Sequence, residues 1–338
     1  MLTCTAVSGN LSFAKPVNAS NLIFCCKRQL LRRAHYFFLI IKTLCMKKQP
    51  PFFRLPAYVI PVAILLLLSV AFKSCSKSKT AEKVNSVQLA NSATLGSYLT
   101  DNKGYTLYYF SNDIDGGINK CTGGCLAVWP IFYDSLLSAS TVGTGLNASD
   151  FTTITTSLGT KQTAYKGWPL YYYAPKDASG ANTREAPGVT GGEKVGNIWF
   201  VVKTNYTLML ANKKVVASGT TDSTTKEFLV DSAGNTLYYF AKDSLNPTTL
   251  PTNCTGGCIT TWPVYYTPNS NFPSLLSKTD FGTITRNDGP GGTTRLQSTY
   301  RGRPLYYYTP DASTRGVAKG EGVGKSWFVM KPDVTKIN

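Results

Sequence analysis

Short runs rich in Tyr, Phe, Val and Thr recur along residues 86–331, cut by Gly, Asn, Asp and Pro, and no window sustains a 3.6-residue apolar period. Aromatic and β-branched clusters bounded by turn formers predict strands and hairpins rather than helices. Within 150–203 the pattern predicts four strands, at 150–156, 161–166, 168–173 and 198–203. Asp101-Asn-Lys-Gly104 and Asp231-Ser-Ala-Gly234 read as hairpin turns in which glycine supplies a positive φ.

One apolar run breaks this pattern. Residues 55–72, LPAYVIPVAILLLLSVAF, carry no charge and follow Met46-Lys47-Lys48 and Arg54, the charge-then-apolar order of a secretory signal. Its 18 residues also reach the lower limit for a membrane span, so a retained anchor is the alternative. Cys75, in Ser-Cys-Ser directly after the run and before a polar stretch, resembles a lipoprotein processing site, although Phe72 and Lys73 depart from the usual residues there. Residues 1–45 show no globular pattern, and Met46 is the more natural start. The expected layout is a dispensable 1–45, a signal peptide at 46–74, a polar tether at 75–85 and a β-rich body from 86 onward.

That body repeats itself. Thr106–Phe110 (TLYYF) returns as Thr236–Phe240, Cys121-TGG-Cys125 with Trp129-Pro130 as Cys254-TGG-Cys258 with Trp262-Pro263, and Trp199-Phe-Val201 as Trp327-Phe-Val329. Two long repeats follow, 86–203 and 204–338. Each is double in turn, because PLYYY at 169–173 echoes TLYYF. The fold class is therefore all-β, in tandem units of about four antiparallel strands. A four-bladed β-propeller would settle the edge-strand problem radially; two β-sandwich or barrel-like domains, one per long repeat, are the alternative.

Charge changes the functional picture more than the fold. The chain has 35 Lys and Arg against 18 Asp and Glu in 338 residues, but residues 1–80 hold 12 of the basic residues and no acid. Residues 81–338 are left with 23 basic against 18 acidic, a net +5 that argues against a nucleic-acid partner. The single histidine, His35, lies in the leader, so the body offers no imidazole to a catalytic triad or a His-ligated metal.

Tyr108-x-Phe110-x-x-Asp113, Tyr238-x-Phe240-x-x-Asp243 and Tyr306-x-Tyr308-x-x-Asp311 resemble the Tyr-x-aromatic-x-x-Asp signature of the bacterial secreted lipoprotein repeat family. The resemblance covers about 86–331 and departs in the second unit, where Tyr171 and Tyr173 are followed by Lys176 and then Asp177. It implies an exported envelope lipoprotein without an assigned biochemical activity.

Each candidate site has a plainer reading beside it. The repeated aspartates could ring a cation or sugar, but turn capping is the commoner role. Asp113-Ile-Asp115-Gly is only a fragment of a calcium loop. The cysteine pairs suit local disulfides in an oxidising compartment, Cys121 to Cys125 and Cys254 to Cys258, better than a metal or thiol-redox site. Lys319–Ser326, KGEGVGKS, lacks the first glycine of a phosphate loop and leads into a strand. Half of each tyrosine run must face the core, which leaves an exposed aromatic platform as the minority case.

The expectation is a non-catalytic binding or scaffold module without cofactor or metal. It would be held to the bacterial envelope, at the outer membrane, by lipid on Cys75, and would meet an envelope glycan or protein. A glycan-active enzyme using a carboxylate pair such as Asp113 and Asp243 is one alternative; a redox or copper-handling accessory using the cysteine pairs is the other.

Overall fold

The computed structural model describes residues 86–243 and 252–337. Cys75, the signal segment and the tether lie outside the described residues. Among these, no helix is long and apolar enough to cross a membrane. The first long repeat contains β1 (Val87–Ser92), β2 (Gly96–Asp101), β3 (Tyr108–Phe110), a short helix α1 (Gly124–Val128), β4 (Phe151–Thr155), β5 (Lys161–Tyr165), β6 (Trp168–Pro169) and β7 (Trp199–Val201). The second repeats the order with β8 (Leu208–Val216), β9 (Ser223–Asp231), β10 (Tyr238–Phe240), α2 (Cys258–Thr261), β11 (Phe281–Arg286), β12 (Arg295–Tyr300), β13 (Arg303–Pro304) and β14 (Trp327–Val329). The chain is all-β, in small antiparallel sheets of two or three strands.

Both expected hairpin turns form. Gly104 sits at φ 85° and Gly234 at φ 90°, a region closed to most residues with a Cβ. In each turn the aspartate fastens the loop: Asp101 Oδ1 accepts the Lys103 and Tyr105 N–H groups at 2.9 Å each, and Asp231 Oδ1 those of Ala233 and Asn235, also at 2.9 Å.

The four strands predicted for 150–203 are present, but the last does not close on its own unit. Strand β7 pairs with β3 of the first unit, in the register Tyr108 to Val201 and Phe110 to Trp199. The first unit answers by sending Ile131 and Phe132 to the second, where Ile131 bridges Tyr171. Each crossing strand joins a closed triangle of backbone bonds. Leu99 N donates to Val202 O (2.8 Å), Val202 N to Leu107 O (3.0 Å) and Leu107 N to Leu99 O (3.0 Å). The same triangle links Thr163, Phe132 and Leu170, then Leu229, Met330 and Leu237, then Ser298, Tyr265 and Leu305. Two units are thereby locked by exchanged strands, and their mirror point is a mutual backbone pair, Tyr108 with Tyr171 (2.9 and 3.0 Å) or Tyr238 with Tyr306 (2.8 and 2.9 Å). The body is thus built from two strand-exchanged pairs of units, not from four separately paired blades. Exchange satisfies donors that would otherwise be buried unpaired, each at a cost of about 1–3 kcal/mol.

The two long repeats share one apolar core, which runs from Tyr109 and Phe200 through Leu208–Ala211 to Phe228 and Tyr306. Arg315 reaches across this join, donating to the carbonyls of Ile114 (3.2 Å), Lys166 (3.2 Å) and Ala233 (2.8 Å), with its guanidinium 4.8 Å above the Trp168 ring. Burial lowers its pKa to about 10. Gly116, Gly167 and Gly234 allow that approach, since a Cβ on any of them would come within 3.0–3.2 Å of the Arg315 side chain.

Candidate functional site

The signature aspartates point inward. Asp113, fully buried, accepts from the hydroxyl of Tyr171 (2.6 Å) and from Lys120 N (2.6 Å). Asp243 accepts from Tyr306 (2.7 Å) and Asn253 N (2.7 Å), and Asp311 from Tyr238 (2.6 Å) and Lys319 N (2.9 Å). Every one of these carboxylates therefore holds the tyrosine of the neighbouring unit and the start of a loop. Burial is the largest influence on each and raises its pKa, for Asp113 to about 7, against the lowering effect of the hydrogen bonds. The tyrosine hydroxyls are driven up by the same burial.

The second unit follows the rule with a different residue. Asp177 is exposed and fastens its own turn through Ser179 and Thr183, whose hydroxyls, the Ser179 bond foremost, lower its pKa to about 2. Glu185 supplies the missing carboxylate, accepting from the Tyr108 hydroxyl and from Gly191 N (2.8 Å). Nothing in the spacing marks Glu185, which lies 12 residues past Tyr173 in a loop peculiar to that unit. A second tier of such pairs joins Tyr172 to Asp101 and Tyr307 to Asp231, each at 2.9 Å, so the hairpin aspartates serve twice.

Four rings stack in each long repeat. Phe110 lies 4.1 Å from Trp199, Trp199 3.8 Å from Trp129 at 2° between planes, and Trp129 4.5 Å from Tyr173. In the second repeat the order is Phe240, Trp327, Trp262 and Tyr308, at 4.4, 3.7 and 4.1 Å. Signature residues Phe110, Phe240 and Tyr308 are thus ends of a stack. Gly192 and Gly320 lie against it, and a Cβ on either would meet a tyrosine and a tryptophan ring at 2.7–3.0 Å.

Beside each stack is a closed disulfide, Cys121 to Cys125 and Cys254 to Cys258, with Cα atoms 5.4 and 5.3 Å apart. Each fixes the short helix that presents its tryptophan: Trp129 N donates to Cys125 O and Trp262 N to Cys258 O, both at 2.8 Å. Closing so small a loop removes about 2 kcal/mol of unfolded-state freedom. Reduction of both bridges is accordingly expected to lower stability by about 2 kcal/mol each without unfolding the body, as read by urea denaturation with and without reductant.

The Lys319–Ser326 segment is a turn with Gly322, Gly324 and Lys325 at positive φ, followed by β14. Glu321 within it accepts Val329 N at 2.8 Å and pairs with Lys226, so a buried carboxylate occupies the segment in place of a phosphate cradle. Glu193 does the same for Val201 N at 2.6 Å in the first repeat.

An open cavity of about 440 Å³ lies in the second long repeat, walled by Tyr307, Tyr308, Asp311, Pro263, Asn235 and the loop 312–314. Against this geometry, a family model described as a secreted repeat of unknown function matches four times, at 90–132, 152–203, 219–265 and 282–331. The chain belongs to this secreted-repeat family. The four matches fall on the four units, and the first ends at Phe132, in the segment whose backbone bonds close its neighbour. As a member, the protein is exported. No curated protein and no solved structure matches the chain.

Proposed function

We propose that this secreted-repeat protein is a binding module held to the bacterial envelope by lipid on Cys75, with its ligand site in the cavity of the second long repeat. The cavity carries the reading. It is within the size of small-molecule and side-chain pockets and combines two tyrosine rings and a proline with a carboxylate. The signature residues Tyr308 and Asp311 line it, and the exposed residues 312–314 form its rim. The same acids hold the fold together, so ligand contact falls mainly to the tyrosine faces and the rim.

A panel of envelope glycans and peptides, titrated calorimetrically, tests the site. Thr314→Trp, a change at an exposed rim residue, should abolish capture of any ligand the wild type binds; equal binding by the two proteins would move the site elsewhere. For the anchor, an apolar run ending just before Cys75 and a polar tether after it predict that palmitate labelling disappears in Cys75→Ala. Label retained by that variant would contradict lipidation there, and protease treatment of whole cells would identify the leaflet.

A further inference from the structure

The first long repeat covers the equivalent tyrosine with one of its own side chains. There the ring of Tyr172 is covered by the guanidinium of Arg184, 3.6 Å from its centroid and 5.0 Å from that of Tyr105. Tyr172 and Tyr307 are equivalent: both are the fourth residue of a PLYY run, both donate to the aspartate of the preceding hairpin at 2.9 Å, and both lie beside the mutual tyrosine backbone pair.

The loops that follow start and finish at matching points. Gly188 N donates to Gly104 O and Thr106 Oγ1 to Val189 O; Gly316 N donates to Gly234 O and Thr236 Oγ1 to Val317 O. Between those points the two repeats differ. From Tyr173 to Gly188 the chain advances 15 residues, and from Tyr308 to Gly316 only 8. The extra residues carry Arg184 onto Tyr172. Without them Tyr307 is left half-buried at the cavity, and Arg315 of the shorter loop lies instead on Trp168.

The charge of the walls agrees. No basic residue lines the cavity and Asp311 does, so a cation entering it meets no repulsion from its walls. Asn235 takes the place of Tyr105, its amide nitrogen donating to Asp231 at 2.8 Å.

We infer that the cavity of the second repeat receives a guanidinium group stacked on Tyr307, as on an arginine side chain of a peptide or protein partner, in the place that Arg184 fills on Tyr172. This rests on the cavity being the ligand site. Glycan ligands, which carry no such cation, are the competing class.

The probe is N-acetyl-arginine amide, titrated into the purified full-length protein by calorimetry, beside N-acetyl-lysine amide and N-acetylglucosamine. One saturable site of millimolar affinity is expected for the arginine probe, weakened about tenfold in Tyr307→Leu and in the rim-filling Thr314→Trp. In Arg184→Ala the vacated Tyr172 face should add a second site, so the stoichiometry rises from one to two. That last variant alters only an exposed side chain and reads the inference even if Tyr307→Leu fails to fold.

Equal affinity for the lysine probe, or an unchanged stoichiometry in Arg184→Ala, would overturn the guanidinium assignment. N-acetylglucosamine binding that Thr314→Trp abolishes, with no arginine binding, would overturn it while leaving the cavity as the ligand site. Probe binding untouched by Thr314→Trp would remove both.

Discussion

Trp199→Ala is expected to destabilise the protein by about 4–5 kcal/mol, near the top of the ordinary range for deleting a buried aromatic ring. Trp199 is 3% exposed and lies between Phe110 and Trp129, with the Tyr171 ring perpendicular to it at 5.1 Å between centroids. Its loss takes one stacking partner from Phe110 and one from Trp129, each contact worth about 0.5–1.5 kcal/mol beyond area. It also empties the start of β7, the strand that one unit lends to the other. Trp199→Phe keeps a ring in the stack and should cost less than half as much. Tyr133→Ala, at a position 45% exposed, should stay within about 0.5 kcal/mol and serves as the control. Urea denaturation supplies all three values. A loss below about 1.5 kcal/mol for Trp199→Ala would mean that the stack does not hold the exchanged strands.

The second large effect is on pH dependence. The Asp113 carboxyl titrates near 7 in the folded protein, raised by burial, and near 4 when unfolded. Between those values the folded state binds a proton that the unfolded state does not. The resulting stabilisation is fully present below about pH 4 and is lost as pH rises through 7. Three pH units correspond to about 4 kcal/mol. Asp243 and Asp311, shifted in the same direction by the same cause, add to the decline. In Asp113→Asn the amide can still accept a hydrogen bond but has no proton to gain, so the variant should lose this dependence, about 3 kcal/mol of it between pH 4.5 and 7.5. Stabilities at pH 4.5 and 7.5 for both proteins decide it: a wild-type minus variant difference that is the same at the two values would refute the shifted titration.

Turns, repeats and disulfides were legible because each is a local matter. An aspartate three residues before a glycine closes a hairpin through its own neighbours, and two cysteines four apart can reach only one another once the chain curls. The duplication is visible as identical strings, and the family match rests on the same strings. Strand count was legible too, since aromatic and β-branched runs favour a pleated surface wherever they finally sit.

Which strand pairs with which was not, because β7 follows the second unit in sequence but satisfies its hydrogen bonds on the first, and periodicity says nothing about a partner 90 residues away. The same exchange decided the chemistry of the signature. Tyr108 and Asp113 occur in one motif, yet Asp113 binds Tyr171 and Tyr108 binds Glu185, a residue without any motif at all. Sequence alone thus determined the residue types and the units. Burial, and with it the raised carboxyl pKa values, the stacked rings and the cavity that a shortened loop leaves over Tyr307, arises only when exchanged strands bring distant side chains together and exclude water from between them.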